Sequence, residues 1–530
     1  MCSRVATKNL ANGGMMNRLR LSLATSILLL FSACAPSFVQ DRIYYNDLAQ
    51  APGGMIGEQK NASAEQALAE IKKAETNKVY GDKEQLLLGM DLGMANHVAA
   101  HYRSSEEILR KSDLLAEELF TKSFTDILMA YQLNDYSLPY KGMPYERVMI
   151  NLVNSLNYAA TGDWNGALVE AKKIRTKLVE YNRMYPQAAG TPGKYASAEG
   201  PARNLLAQHH VEYNPSQLNH YTDDAFARYL AGVFEEAQIA SGAGDYQSAY
   251  LSYKKAYDTY QKYKLLYNTP TPSFLAPALL RTAEAAGRTH ELRKWKTQFP
   301  GVSYTPSSDY EKMGHILFVG FNGEIFHLGQ EKFAFPLPIP GGTMALVSFS
   351  YPKPVGGGTD VLSHEITLAA PGGGTPVARV SSELGDNLMA VGGTNFKDHL
   401  DRLILREAIR ATLKTIEQVA AQKAANQAGG ALAELGAMVG GMIFTAATDQ
   451  ADIRSWRLLP ATIDMAMVDV PPGTYDLTIH ARTGLGMGGI MKERITVTAG
   501  QYLLVRTVNP PQFQALDKKS YRDRKKHDGN

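Results

Sequence analysis

The sequence predicts an α+β multidomain protein, in which an α-helical array precedes a mixed α/β C-terminal domain with a long amphipathic helix. Three observations lead there. From Ala64 to about Phe299 the chain is rich in Ala, Leu, Tyr, Lys and Glu at helical spacing, broken by turn residues rather than by strand-like alternation. After Thr269-Pro270-Thr271-Pro272, and again after Pro300, glycine and β-branched or aromatic residues replace that pattern, which places a boundary near residue 305. Beyond it, strand signals lie on both sides of one long helical stripe. With 530 residues, 45% hydrophobic and 20% charged, the chain can build several cores and matches neither a polytopic membrane protein nor a coiled-coil rod.

One trace recurs in the helical half. Gly162-Asp163-Trp164 is followed by Ala167 and Ala171, and Gly244-Asp245-Tyr246 by Ala249, Tyr253 and Ala256. His101-Tyr102 with Ser105 and Leu109 is a weaker copy, and Gly287 before Leu292 and Trp295 a degenerate one. The trace resembles the tetratricopeptide repeat, in which a Gly-Asp-aromatic turn joins two helices and small residues let the second pack on the first. The 82 residues from Asp163 to Asp245 do not match a whole number of such repeats, so inserts intervene. The stretch from Tyr185 to Asp223, with Pro186, Gly190, Pro192, Gly193 and Pro201, reads as one of them.

In the C-terminal half, His315 to Val319, Glu324 to Leu328, Met344 to Phe349 and Val361 to Ala369 read as short strands. Asn395 reads as the N-cap of the long helix. Its apolar stripe is Leu405, Ala408, Ile409, Thr412, Leu413, Ile416 and Val419, and its opposite face carries Arg406, Arg410, Lys414 and Glu417. Strand signals return at Ile463 to Val468, Tyr475 to Ala481, Arg494 to Thr498 and Tyr502 to Val508, with turns at Pro471-Pro472-Gly473 and Ala499-Gly500.

Three stretches of this half, Ile404 to Ala411 (ILREAIRA), Ala451 to Pro460 (ADIRSWRLLP) and Pro472-Gly473-Thr474-Tyr475, carry a resemblance. They are similar to a family of uncharacterised bacterial outer-membrane lipoproteins that combine tetratricopeptide-like N-terminal helices with a β-containing C-terminal domain. The resemblance implies an envelope location and a two-part architecture; it brings no activity and no catalytic residue.

The N-terminus agrees with that address. Arg18 and Arg20 form a positive region before an apolar run from Leu21 to Phe31, too short to span a bilayer, which takes about 20 residues. Ser32 and Ala33 before Cys34 resemble a bacterial lipobox, which implies cleavage before Cys34 and acylation of its thiol. Ala35, where an Asp would imply retention in the inner membrane, favours the outer membrane, with the protein facing the periplasm. The expected division is therefore a start extension and signal peptide over 1–33, an acylated linker over 34–63, the helical domain over 64–304, the mixed α/β domain over 305–510 and a basic tail over 511–530. Cys2 and Cys34 are the only cysteines, which excludes a disulfide framework or zinc-thiolate site in the body. Four basic residues and no acid precede Cys34; removing them from the 55 basic residues leaves 51 against 52 acids, and the electrostatic footprint of nucleic-acid binding disappears.

Several patterns invite a chemical reading. Gly484 to Gly489 satisfies G-x-G-x-x-G but is flanked by strand signals on both sides, so it reads as a hairpin loop rather than a dinucleotide fingerprint. His97 and His101 stand at metal-ligand spacing without a third ligand, and Ser252 and Lys255 at the spacing of a lysine-activated serine without its companions. Asp452, Arg454 and Trp456 form the strongest constellation, read either as an interface anchor or as an internal clamp that fixes the long helix to the sheet. Residues Ala428 to Thr448 hold five glycines and a single charge, Glu434, and read as a packed segment ahead of a membrane contact. No metal or cofactor is expected. The expected function is an interaction scaffold or assembly factor whose partners are outer-membrane lipid, through acylated Cys34, and an unidentified envelope protein. A cell-wall-acting enzyme with its active site in the C-terminal domain is the alternative from another class, to be recognised there by a Ser-His pair or a clustered, buried group of carboxylates. A membrane-inserting subunit using residues 428–448 is the third.

Overall fold

Helical periodicity becomes a row of helices packed in chain order. The computed structural model describes residues 62–125, 135, 138–184, 195–208, 220–339, 343–429 and 451–509. Cys34, nearly all of the Gly-rich 428–448 stretch and the basic tail lie outside the described residues. Helices α1 (Ala62–Thr76), α2 (Gln85–Val98), α3 (Tyr102–Thr125), α4 (Pro144–Ala160) and α5 (Trp164–Met184) each pack on the next. Helix α6 (Ala196–Gln208) leaves the row, and α5 packs directly on α7 (Ala225–Ala240). The row continues through α8 (Tyr246–Tyr267), α9 (Leu275–Ala285) and α10 (Thr289–Gln298).

The predicted turn residues explain how the helices start. Gly162 takes φ +77°, and the Gly166 amide donates to Asp163 Oδ1 at 2.9 Å. The Ser248 amide donates to Asp245 Oδ1 at 2.8 Å, an N-cap on α8. A Cβ on Gly244 would stand 2.9 Å from the Ile239 amide nitrogen, so the chain turns there only as glycine. Ala167, Ala249 and Ala256 are fully buried between helices, with Tyr253 beside them. Ala249→Trp is expected to overpack this contact and cost about 1 to 3 kcal/mol, read as a lowered urea midpoint; an unchanged midpoint would remove the close-contact role of Ala249.

A short α11 (Ser307–Tyr310) leads into β1 (Gly314–Asn322). The first sheet has the order β10-β1-β7-β6, with β10 (Tyr502–Asn509) parallel to β1, and β7 (Thr462–Val470) and β6 (Glu383–Asp386) joined antiparallel. All nine residues of β1 are buried, as befits a continuous apolar run covered on both faces. On one face Leu317, Val319, Phe321, Ile463 and Met465 join the core of the helical row. On the other, Ile316, Phe318, Ala466 and Val468 meet Ile366, Leu368, Leu477 and Ile479 of a second sheet. That sheet has the order β5-β4-β8-β9, from β4 (Val361–Ala369), β5 (Pro376–Ser381), β8 (Gly473–Thr483) and β9 (Gly486–Val497), all antiparallel. The result is three layers: helices, first sheet, second sheet. One hydrophobic cluster reaches from Ala64 to Tyr502 and crosses residue 305 without interruption.

The strands β2 (His327–Ile339) and β3 (Thr343–Val355) belong to neither sheet and pair over 13 positions as a separate antiparallel ribbon. Against it runs α12 (Leu388–Gly429), 42 residues and so about 63 Å long. Phe349 of the ribbon, Leu205 and Leu206 of α6, and Ile404, Leu405, Ala408 and Ile409 of α12 make a third hydrophobic cluster, apart from the other two.

Three expectations are corrected here. The long helix begins at Leu388, where the Ala390 amide donates to Asn387 Oδ1 at 3.1 Å, and not at Asn395, which is buried within it. Leu388 and Val391 enter the main core and carry the helix back past Gly392 and Gly393. Its charged face is not solvated throughout: Arg410 pairs with Glu407, both buried, and Arg406 pairs with Asp135. Finally, Glu324 to Phe326 is not strand; Glu324 makes an isolated bridge to Gly358, and β2 starts at His327.

Candidate functional site

The predicted constellation lies where the segment before β7 crosses the helical row. Arg454 is 6% exposed. It donates from Nε and Nη2 to the two oxygens of Asp452, at 2.8 and 2.7 Å. Its Nη1 reaches Glu84 Oε1 at 3.0 Å, and Nη2 also reaches the carbonyls of Asp135 and Leu138. Burial opposes its charge, but Asp452 and Glu84 outweigh burial and raise its pKa. Trp456 is fully buried in the main core, and its amide donates to Glu146 Oε1 at 2.7 Å. The clamp therefore fixes this segment to the start of α2 and the first turn of α4, rather than the long helix to the sheet. Glu146 is its second centre: Oε2 accepts from the Tyr140 hydroxyl and from the Met143 amide, both at 2.6 Å. Burial pushes its pKa up against those donors.

Arg457 adds chemistry that the sequence did not announce. Two carboxyls feel its charge. Asp91, on α2, is 5% exposed and accepts from the Tyr80 hydroxyl at 2.7 Å; burial raises its pKa to about 7, with Tyr80 and Arg457 acting the other way. Glu324 is likewise raised by burial to about 7, opposed by Arg457. Burial thus holds both carboxyls above their usual range, and Arg457 acts against it in each case. Pro144 and Glu146 spell a helix start, but nothing in the sequence joins Asp91, Glu324 and Arg457, which are far apart along the chain.

The Asp91 shift has a sign that can be measured. In the folded state the carboxyl keeps its proton up to about pH 7, whereas in the unfolded state it loses it near 4. Stability from this group is thus full below pH 4, falls as pH rises through that window and is level above pH 7. Asp91→Asn should remove the slope, which amounts to at most about 1.4 kcal/mol per pH unit. Urea unfolding at pH 4.5, 6 and 8 checks it; parallel curves for both proteins would refute the shift.

A Ser-His-Asp set also exists, in a different arrangement from a catalytic triad. His364 Nδ1 lies 2.7 Å from Asp464 Oδ2, the same oxygen that accepts from Ser382 Oγ. Asn322 donates to Asp464 Oδ1 at 2.8 Å, and Thr507 Oγ1 lies 3.4 Å from His364 Nε2. The serine serves the carboxylate and the His364 amide, not the imidazole. All five residues are at most 5% exposed, so the set cross-links the two sheets. A Cβ on Gly320 would fall 2.1 Å from Asp464 Oδ1, which explains the glycine in the apolar run of β1.

The remaining patterns separate. His97 is fully buried, with Nδ1 2.7 Å from Asn157 Oδ1, while His101 Nε2 pairs with Glu65 at 2.9 Å. The two do not share a ligand site. Ser252 and Lys255 lie on the outer part of α8, with Lys255 exposed. Gly484 and Leu485 form the β8–β9 turn, Leu485 being 93% exposed. Of the repeat residues, Trp164 packs 6.0 Å from Phe234 and from Tyr502, and Tyr246 donates to Glu311 at 2.6 Å, so both tie the helical row to the C-terminal half. Among the described residues no three His, Cys, Asp or Glu converge as metal ligands, and no helix is long and apolar enough to cross a membrane. No protein-family model, curated protein or solved structure matches the chain.

Proposed function

We propose that this chain is an outer-membrane lipoprotein, tethered through acylated Cys34 and facing the periplasm, that serves as an interaction scaffold or assembly factor for a cell-envelope machine. The observation that carries the scaffold reading is the β2–β3 ribbon with α12: a long element outside both sheets, with its own hydrophobic cluster. Serial packing of the helices and the Gly162 and Gly244 turns support a tetratricopeptide-like array. Such arrays bind partners on extended faces. Here the first sheet covers one face of the row, so the ribbon and the outward sides of the helices, where Leu251 and Leu265 are exposed, remain for an envelope protein. Photo-crosslinkers at Lys353 and Val355 of the ribbon, compared with Leu362 on the second sheet, should capture a specific protein from the ribbon in living cells. Equal capture at all three, or none, would count against the ribbon. Cys34→Ser should release the protein from the outer-membrane fraction; unchanged fractionation would end the lipid-anchor reading.

A further inference from the structure

Arg147, in the first turns of α4, is 4% exposed, yet neither Nε nor Nη1 has a hydrogen-bond partner. It forms no ion pair among the described residues. Its guanidinium carbon lies 4.3 Å from the centre of the Phe120 ring, on α3, and 4.1 Å from that of Tyr181, on α5. Those rings meet edge to face at 4.8 Å, so they hold two sides of the guanidinium in place. They attract its charge but offer its N–H groups no acceptor. The Tyr181 hydroxyl, itself buried, is also without a partner.

None of the nearby acids among the described residues bonds to the guanidinium. Asp113 pairs with Lys177 and Lys173, Glu180 pairs with Arg183, and Glu117 Oε1 makes an ion contact with Lys177 at 3.3 Å without a hydrogen bond. Burial first, and then Glu117, Asp113 and Glu180, raise the pKa of Tyr181 and keep its phenol a donor. Glu146 serves Tyr140, Met143 and Trp456, and Asp398 holds His220 at 2.8 Å. From α12, His399 comes into electrostatic reach of Arg147; burial first, and then Arg402 and Arg147, hold its imidazole below the usual range, so it brings no negative charge. Unlike a buried carboxyl, a guanidinium cannot discharge itself by exchanging a proton, so its burial calls for an anionic acceptor.

We propose that Arg147 and Tyr181 form a buried binding site for one oxyanion, a carboxylate or phosphate group, that accepts from the guanidinium and the phenol between α3, α4, α5 and α12. The inference is independent of the scaffold reading. Calorimetry on the full chain with sodium phosphate and with sodium acetate, at ionic strength held constant by chloride, tests it. Saturable binding of one equivalent is expected for at least one of the two, and the tighter salt identifies the source as phosphate or carboxylate. Arg147→Met keeps an unbranched side chain against both rings and should weaken binding at least tenfold without loss of the folded state. Tyr181→Phe, which removes only the hydroxyl, should weaken it by a smaller factor. Absence of saturable binding by either salt, or equal affinity in the folded Arg147→Met variant, overturns the proposal.

Discussion

Arg454→Ala should be among the most destabilising single substitutions in the protein, lowering unfolding free energy by about 3 to 5 kcal/mol. The loss is not that of one ion pair. Truncation leaves Asp452 and Glu84 without their shared cation and removes the donor to the Asp135 and Leu138 carbonyls, two of the points where this segment grips the helical row. Asp452→Asn leaves Glu84 and both carbonyls in place and should cost about 1 to 3 kcal/mol. Urea denaturation of the two variants separates the cases. Equal, small effects would mean that the clamp contributes nothing to stability.

Arg281→Ala should have an effect of the same order, about 3 to 5 kcal/mol, for a related reason at the other end of the row. Arg281 on α9 donates to both oxygens of Glu236 on α7, at 3.0 and 2.8 Å, and the Tyr253 hydroxyl completes the site at 2.7 Å. Both charged side chains are nearly inaccessible. The guanidinium also lies 3.5 Å from the centre of the Tyr310 ring, which stacks on His315, and His315 in turn meets Tyr502. One cation thus touches the helices and, through an aromatic ladder, the first sheet. If the layers unfold as one unit, circular dichroism at helical and aromatic wavelengths should shift together. Pairing Arg281→Met with Glu236→Leu should regain much of the loss, since no charge is then stranded. A double variant as weak as the single one would contradict the stranded-charge argument.

Local order is readable wherever it rests on neighbouring residues. The alternating pattern of β4 and the apolar run of β1 mark both strands, and the Gly-Asp-aromatic turns mark helix starts that Asp163 and Asp245 cap. The start of α12 is not legible because Gly392 and Gly393 weaken the helical signal, while the contacts of Leu388 and Val391 that decide it are tertiary. The same limit hides the electrostatics. Asp452 and Arg454 are adjacent enough to pair on inspection, but Glu84 is 370 positions away. His364 and Asp464, 100 positions apart, meet only because two sheets stack. Composition is a poor guide to how the halves relate: the change near residue 305 marks a switch of secondary structure, while the hydrophobic core continues across it.

The parallel pairing of β10 with β1 has a consequence for how the molecule is made. Residues 502–509 lie beside 315–322, and Arg506 binds the carbonyls of His97 and Val98 and the hydroxyl of Tyr102, more than 400 positions earlier. Helices α2 and α3 therefore lack one of their contacts until Arg506 has been synthesised, and a nascent chain stopped at Thr498 exposes one side of β1. Pairing at so large a sequence separation is slow to form, and β10 acts as the latch that covers this edge of β1.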